Sequence, residues 1–146
     1  GTIEVYIGGD HRNRMFMSVF PDGNEGKHAV THYEVLKRFG YTTLVNCKLE
    51  TGRTHQIRVH MRYIGHTLFN DYSYGGDRVM AGTIFTKYKQ FIDNCFQIVP
   101  YHTLHAQSLA FDHPISGERL KFETPIPQNF QELVEKWENY SKNFNL

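Results

Sequence analysis

Thr51-Gly-Arg-Thr-His-Gln-Ile-Arg-Val-His60 sets two arginines and two histidines around a glycine-led turn. Upstream, Tyr41–Leu49 (YTTLVNCKL) is dense in β-branched and aromatic residues and reads as a strand. Downstream, Ile57, Met61 and Ile64 recur at helical spacing and Gly65 follows as a stop, which predicts a helix over His55–Ile64. Thr54 is then the expected N-cap. The backbone N–H groups of His55, Gln56 and Ile57 would face outward beside Arg53 and Arg58, an arrangement suited to an anion.

On either side, the same criteria predict strands at Thr2–Ile7, Met15–Phe20, His28–Phe39, Tyr41–Leu49, His102–Phe111 and Glu118–Glu123. Phe39-Gly40 punctuates one long hairpin and Asp112-His-Pro-Ile-Ser-Gly117 a second. Two further helices are expected. One covers about Thr83–Phe96, with Ile84, Tyr88, Phe91, Ile92, Cys95 and Phe96 as its apolar stripe. The other covers about Asn129–Tyr140, with Phe130, Leu133, Val134 and Trp137 facing inward after Pro125 and Pro127. This is an α+β unit, a mostly antiparallel mixed sheet with about three helices.

The bulk numbers agree with a folded domain. The chain has 146 residues, of which 40% are hydrophobic and 14% aromatic, too many for a disordered segment. Residues 1–62 carry nine Lys/Arg against six Asp/Glu and residues 63–146 carry seven against nine, so a polyanion would meet the first half. Cys47 and Cys95 stand alone, one on a strand and one on a helix, and read as reduced core thiols. No apolar run approaches the ~18 residues of a membrane span, and no signal-peptide pattern is visible, so a soluble cytoplasmic protein is expected.

Nine histidines raise the question of a metal. His55 and His60 are about 140° apart around a helix, and His102 and His105 fall on opposite faces of a predicted strand. No HExxH and no Cys/His quartet is present, so no metal is expected and the histidines read as structural or RNA-facing. Neither a nucleotide-binding glycine loop nor a GxSxG elbow occurs. Among the aspartates, Asp71 lies in an unusual loop, Asn70-Asp-Tyr-Ser-Tyr-Gly-Gly76, where closing the loop through a side-chain-to-backbone hydrogen bond is its expected task. Arg58, flanked by Ile57 and Val59, is the sharpest single residue. Buried, it would need a carboxylate or phosphate, and the sequence offers no obvious carboxylate for it.

These residues resemble the signature of the pseudouridine synthases of the RluA/RluD type. The likeness begins with Thr51–His60 and continues through Ile64-Gly-His66, Asn70-Asp71, Tyr74-Gly-Gly76, Leu104-His-Ala106, Phe111-Asp-His-Pro114, Phe122-Glu-Thr-Pro125 and Pro127-Gln-Asn-Phe130. Ile7-Gly-Gly-Asp-His-Arg-Asn-Arg14 is similar to the family's Ile-Gly-Arg-Asp stretch with Gly9 in place of arginine, and Thr31-His-Tyr33 matches its Thr-x-Tyr strand. The resemblance implies isomerisation of uridine to pseudouridine in structured RNA, ribosomal or transfer, without cofactor or metal. The uridine is flipped into a pocket first. It makes Arg58 the arginine paired with the family's nucleophilic aspartate and sets Leu104 near the base. Arg53, Thr54, His55, Gln56 and His60 are then the expected RNA or substrate contacts.

That aspartate belongs to a His-Arg-Leu-Asp motif absent from these residues, and Asp10 and Tyr6 do not fit the family's aspartate and base-contacting tyrosine. The chain therefore reads as the C-terminal portion of a catalytic domain, inactive alone. A strand opening at Thr2 invites edge pairing with another copy. A non-catalytic RNA-binding module using the basic half is the alternative.

Overall fold

The computed structural model describes residues 1–83 and 85–146; Ile84, placed above in the second helical stripe, lies outside the described residues. Four strands, β1 (Thr2–Gly9), β2 (Met17–Phe20), β3 (Lys27–Arg38) and β4 (Thr43–Leu49), form one sheet in the order β2-β1-β3-β4. Every neighbouring pair is antiparallel, so the sheet is not mixed. Gly40, in the left-handed region at φ 77°, turns β3 into β4.

The strand opening the chain is interior to this sheet. β1 pairs with β3 from Thr2 to Ile7 and with β2 from Tyr6 to Gly9. Among the described residues Thr2–Val5 lack a strand partner on the β2 side, and Gly8 and Gly9 on the β3 side. The outer strands are β2 and β4.

Helix α1 (Gln56–Tyr63) lies on this sheet, and Ile7, Ala29, Val59 and Tyr74 close a core between them. A second core forms between α2 (Thr86–Ile98), α3 (Gln128–Phe144) and the β3–β4 turn, with Phe39, Tyr88, Ile92, Cys95, Val99, Leu133 and Trp137 buried. α2 ends before Pro100 because the residue preceding a proline is forced out of the helical region. α3 runs past the expected Tyr140 to Phe144, whose ring lies 4.6 Å from that of Tyr140, and stops at left-handed Asn145.

The strand expected over His102–Phe111 is shorter. Among the described residues β5 (Ser108–Asp112) pairs only with β6 (Arg119–Glu123), and five residues of partner support five residues of strand. His102 and His105 precede it in non-strand backbone, so the alternation expected of them does not apply.

Candidate active site

The turn into α1 is built differently from the expected cap. Thr54 does not cap the helix: His55 is the N-cap residue, held at φ 55°, and no side chain caps it. The Gln56 N–H is not free either, since it donates to the Arg53 carbonyl at 3.0 Å. A non-glycine residue in the left-handed region is strained and persists where its surroundings hold it.

Gln56 does much of the holding. Its amide donates to the Val30 carbonyl (2.9 Å) and to Thr31 Oγ1 (3.0 Å). Its Oε1 accepts from the Thr51 hydroxyl (2.8 Å) and the Arg53 N–H (3.0 Å). With its four hydrogen-bonding positions filled, Gln56 pins the start of α1 to β3. It is buried, and so is His60, whose Nδ1 lies 2.9 Å from Thr31 Oγ1 while its Nε2 has no partner among the described residues. Burial pushes the His60 imidazole below its ordinary range. Neither residue faces solvent, which corrects the expectation that both meet RNA. Their inward polar atoms also break the simple apolar stripe: Ile57 and Ile64 are only half-buried, while Gln56, Arg58 and His60 are buried.

Arg58 has a carboxylate after all. Its Nε donates to Asp71 Oδ2 at 2.8 Å and its Nη2 to Oδ1 at 2.7 Å, and both side chains are buried. The expectation that these residues hold no partner for Arg58 is therefore wrong. Asp71 does close its loop, but with its backbone: its carbonyl accepts from the N–H of Tyr74 and of Gly76, at 3.2 and 2.7 Å. The side chain is left free to reach thirteen residues back. The hydrogen bonds to Asp71 hold the guanidinium charged and raise its pKa further.

The loop is fixed on both sides of Asp71. The Asn70 side chain donates to the Val99 carbonyl (2.7 Å) and the Phe96 carbonyl (3.3 Å) at the end of α2. A Cβ on Gly76 would stand 2.0 Å from the Leu68 carbonyl oxygen, so the closure admits only glycine. Between them, the short helical turn Tyr72–Tyr74 carries the Tyr74 ring beneath Arg58, 4.8 Å from guanidinium carbon to ring centre. The Tyr74 hydroxyl accepts the Met17 N–H at 3.0 Å and lies 2.7 Å from His55 Nδ1. Burial raises the Tyr74 pKa, so its proton stays available to His55. Desolvation, then the Arg58 charge, lowers the His55 pKa. A neutral His55 with its proton on Nε2 is the consistent arrangement.

Arg58 and Asp71 line an open cavity of about 450 Å³ together with Tyr72, Tyr101 and His102. These aromatic and imidazole rings offer stacking surfaces beside a cation. Arg53 and Thr54 line a different cleft, of about 590 Å³, with Lys27 and the backbone of Gly8, Gly9 and Gly26. Arg53 is exposed there, its Nε donating to the His28 carbonyl at 3.0 Å. Leu104 lies partly exposed before β5 and lines neither cavity. Of the residues expected from sequence, then, Arg58 and His55 meet at Tyr74, Arg53 and Thr54 sit apart, and Gln56 and His60 are interior. Asp71, Tyr74 and His102 were missed, although the loop holding the first two stood out by composition. No three His, Cys, Asp or Glu side chains are grouped as metal ligands among the described residues.

Residues 1–63 match the family described as RNA pseudouridylate synthase. An uncharacterized RNA pseudouridine synthase of Chlorobaculum parvum is 43% identical over 93% of the chain and 42% of its own length. Another, YlyB of Bacillus subtilis, is 47% identical over 92% of the chain and 38% of its own length. The ribosomal large subunit pseudouridine synthase D of Vibrio cholerae is 42% identical over 92% of the chain and 39% of its own length. The chain thus spans about two-fifths of the length of these relatives. A solved structure, human RNA pseudouridylate synthase domain containing 4, shares the fold with a TM-score of 0.61 at 21% identity, over 94% of this chain and 56% of that one.

Proposed function

We propose that this chain is part of an RNA pseudouridine synthase and that the protein containing it isomerises specific uridines of structured RNA to pseudouridine. The bond from N1 of the base to C1′ of the ribose breaks, C5 of the rotated base bonds to C1′, and the C5 proton leaves to water while N1 gains one. No oxidant, reductant or cofactor is needed for that balance. Unstacking the target base costs a few kcal/mol, which ring surfaces in the pocket offset.

Arg58 is the catalytic residue this chain supplies, with the nucleophilic aspartate coming from a His-Arg-Leu-Asp segment outside these residues. The observation that supports the reading is the buried, oriented Arg58 guanidinium at the wall of a cavity bordered by Tyr72, Tyr101 and His102. His55 contacts substrate from the Tyr74 side. Arg53 and Thr54, with Lys27, take the RNA backbone in the second cleft. Gln56 and His60 serve the reaction only by building the turn.

Release of tritium from RNA carrying 5-tritiated uridine is the test. The intact protein is expected to release it and the 146-residue chain alone is not. Turnover by the chain alone would place the nucleophile within it. In the intact protein Arg58→Ala should slow release by on the order of 10²–10³.

A further inference from the structure

We propose that Asp71 is the positioning residue of Arg58, fixing which edge of the guanidinium faces the reacting groups and acting on the reaction only through that arginine. The inference rests on the reading above that Arg58 takes part in the reaction.

A guanidinium is planar, and it can be gripped along its side, through Nε and Nη2, or at its end, through Nη1 and Nη2. Asp71 grips the side, with both bonds near 2.8 Å. Two bonds along one edge fix both the plane and its rotation. The Tyr74 ring supports the face at 4.8 Å. The end edge, with Nη1 and the second Nη2 hydrogen, has no protein partner among the described residues. It is a second fork ready for two oxygens of a carboxylate or phosphate.

Asp71 is itself positioned before it meets the arginine. Its N–H donates to the Leu68 carbonyl and its carbonyl accepts from Gly76, while Asn70 ties the loop to the end of α2. A side chain at residue 76 would strike the Leu68 carbonyl, so the loop folds closely on itself there. The acceptor is thus a property of the fold, and Arg58 is aligned on it. A buried ion pair adds little net stability over an apolar pair of the same volume, so orientation is what this pair contributes. The two carboxylates would then hold different edges: Asp71 the side, the nucleophile the end.

The experiment uses the full-length protein and unmodified, 5-tritiated ribosomal or transfer RNA transcripts, with folding followed by thermal melting. Asp71→Asn keeps the shape and removes the charge. Its kcat should fall on the order of 10²-fold while KM for RNA stays within about threefold, as expected when a reacting group is misplaced. Arg58→Gln/Asp71→Asn should be no slower than Arg58→Gln alone, because a residue acting through Arg58 has nothing left to position. Wild-type kcat in Asp71→Asn, or a raised KM with kcat unchanged, overturns the proposal.

Should Asp71→Asn not fold, the double variant carries no unpaired buried charge and decides the matter. Equality with Arg58→Gln supports the proposal, and a further tenfold loss, about 1.4 kcal/mol in the barrier, overturns it. Wild-type kcat in Arg58→Gln would instead overturn the catalytic reading of Arg58 itself, an outcome distinct from the failure of Asp71→Asn alone.

Discussion

β1 and β5 both belong to antiparallel pairs and both carry large apolar side chains, yet Ile3 and Ile7 of β1 are 4% and 2% exposed while Leu109 and Phe111 of β5 are 62% and 40% exposed. The difference lies in what covers them. α1 lies against β1, β2 and β3, and Val59 and Tyr74 complete the core begun by Ile7 and Ala29. Among the described residues the β5–β6 hairpin has no comparable helix packing. It is held by its own ladder, by the stacked rings of Phe111 and Phe122 at 5.9 Å, and by the Asp112–Arg119 ion pair at 3.0 Å. A two-stranded hairpin with so little cover is marginal on its own. The covered sheet is where polar side chains can be buried and oriented, and it is where Arg58 sits.

Arg58→Ala should cost about 3–5 kcal/mol of folding stability by leaving Asp71 charged and alone in the interior, read from the shift in urea midpoint. A loss under about 1 kcal/mol would mean water already reaches the pair. Val59→Ala, beneath the same helix, should cost about 1–2 kcal/mol from lost burial and the cavity left behind.

Acid should weaken the covered block next. His60 is held neutral by burial, so its folded pKa lies below the unfolded value near 6.5. The unfolded chain therefore binds the extra proton first. Stability from this group is complete above about pH 6.5 and declines as the pH falls toward the folded pKa. Urea midpoints at pH 7.5 and 5.5 should differ in that sense, and less so in His60→Gln. A difference of opposite sign would overturn the assignment of a neutral interior histidine. Smallest of all, Leu109→Ser on the bare hairpin should change stability by no more than about 0.5 kcal/mol. A loss as large as that of Val59→Ala would show that the hairpin packs against something in solution.

Much of this arrangement was legible in the chain. Strand density, the turn glycines and the helix stops gave the element order, because those signals are local. Gly65 at φ 84° ends α1 where the spacing placed the stop. What local signals could not carry was the direction of polar side chains. Gln56 and His60 looked like surface donors because they stand among arginines, yet each finds Thr31 on a strand more than twenty residues away. Asp71 was visible, in an unusual loop, but its pairing with Arg58 depends on Asn70 gripping the end of α2 and on Gly76 closing behind it. Neither contact leaves a spacing that sequence can display. The family likeness assigned Arg58 a carboxylate partner, and the fold supplies a second one that the likeness did not name.

The two free cysteines differ in cover: Cys47 is half-buried on the outer strand β4, Cys95 fully buried on α2. Only a thiolate reacts with an alkylating reagent, and burial pushes the Cys95 thiol up to about 11 and the Cys47 thiol above its ordinary value. Cys95 therefore reacts only when α2 parts from α3, whereas half-buried Cys47 is reached in the folded state at a rate its raised pKa slows. The chain carries an internal clock beside its own reference, readable by mass spectrometry without any substitution.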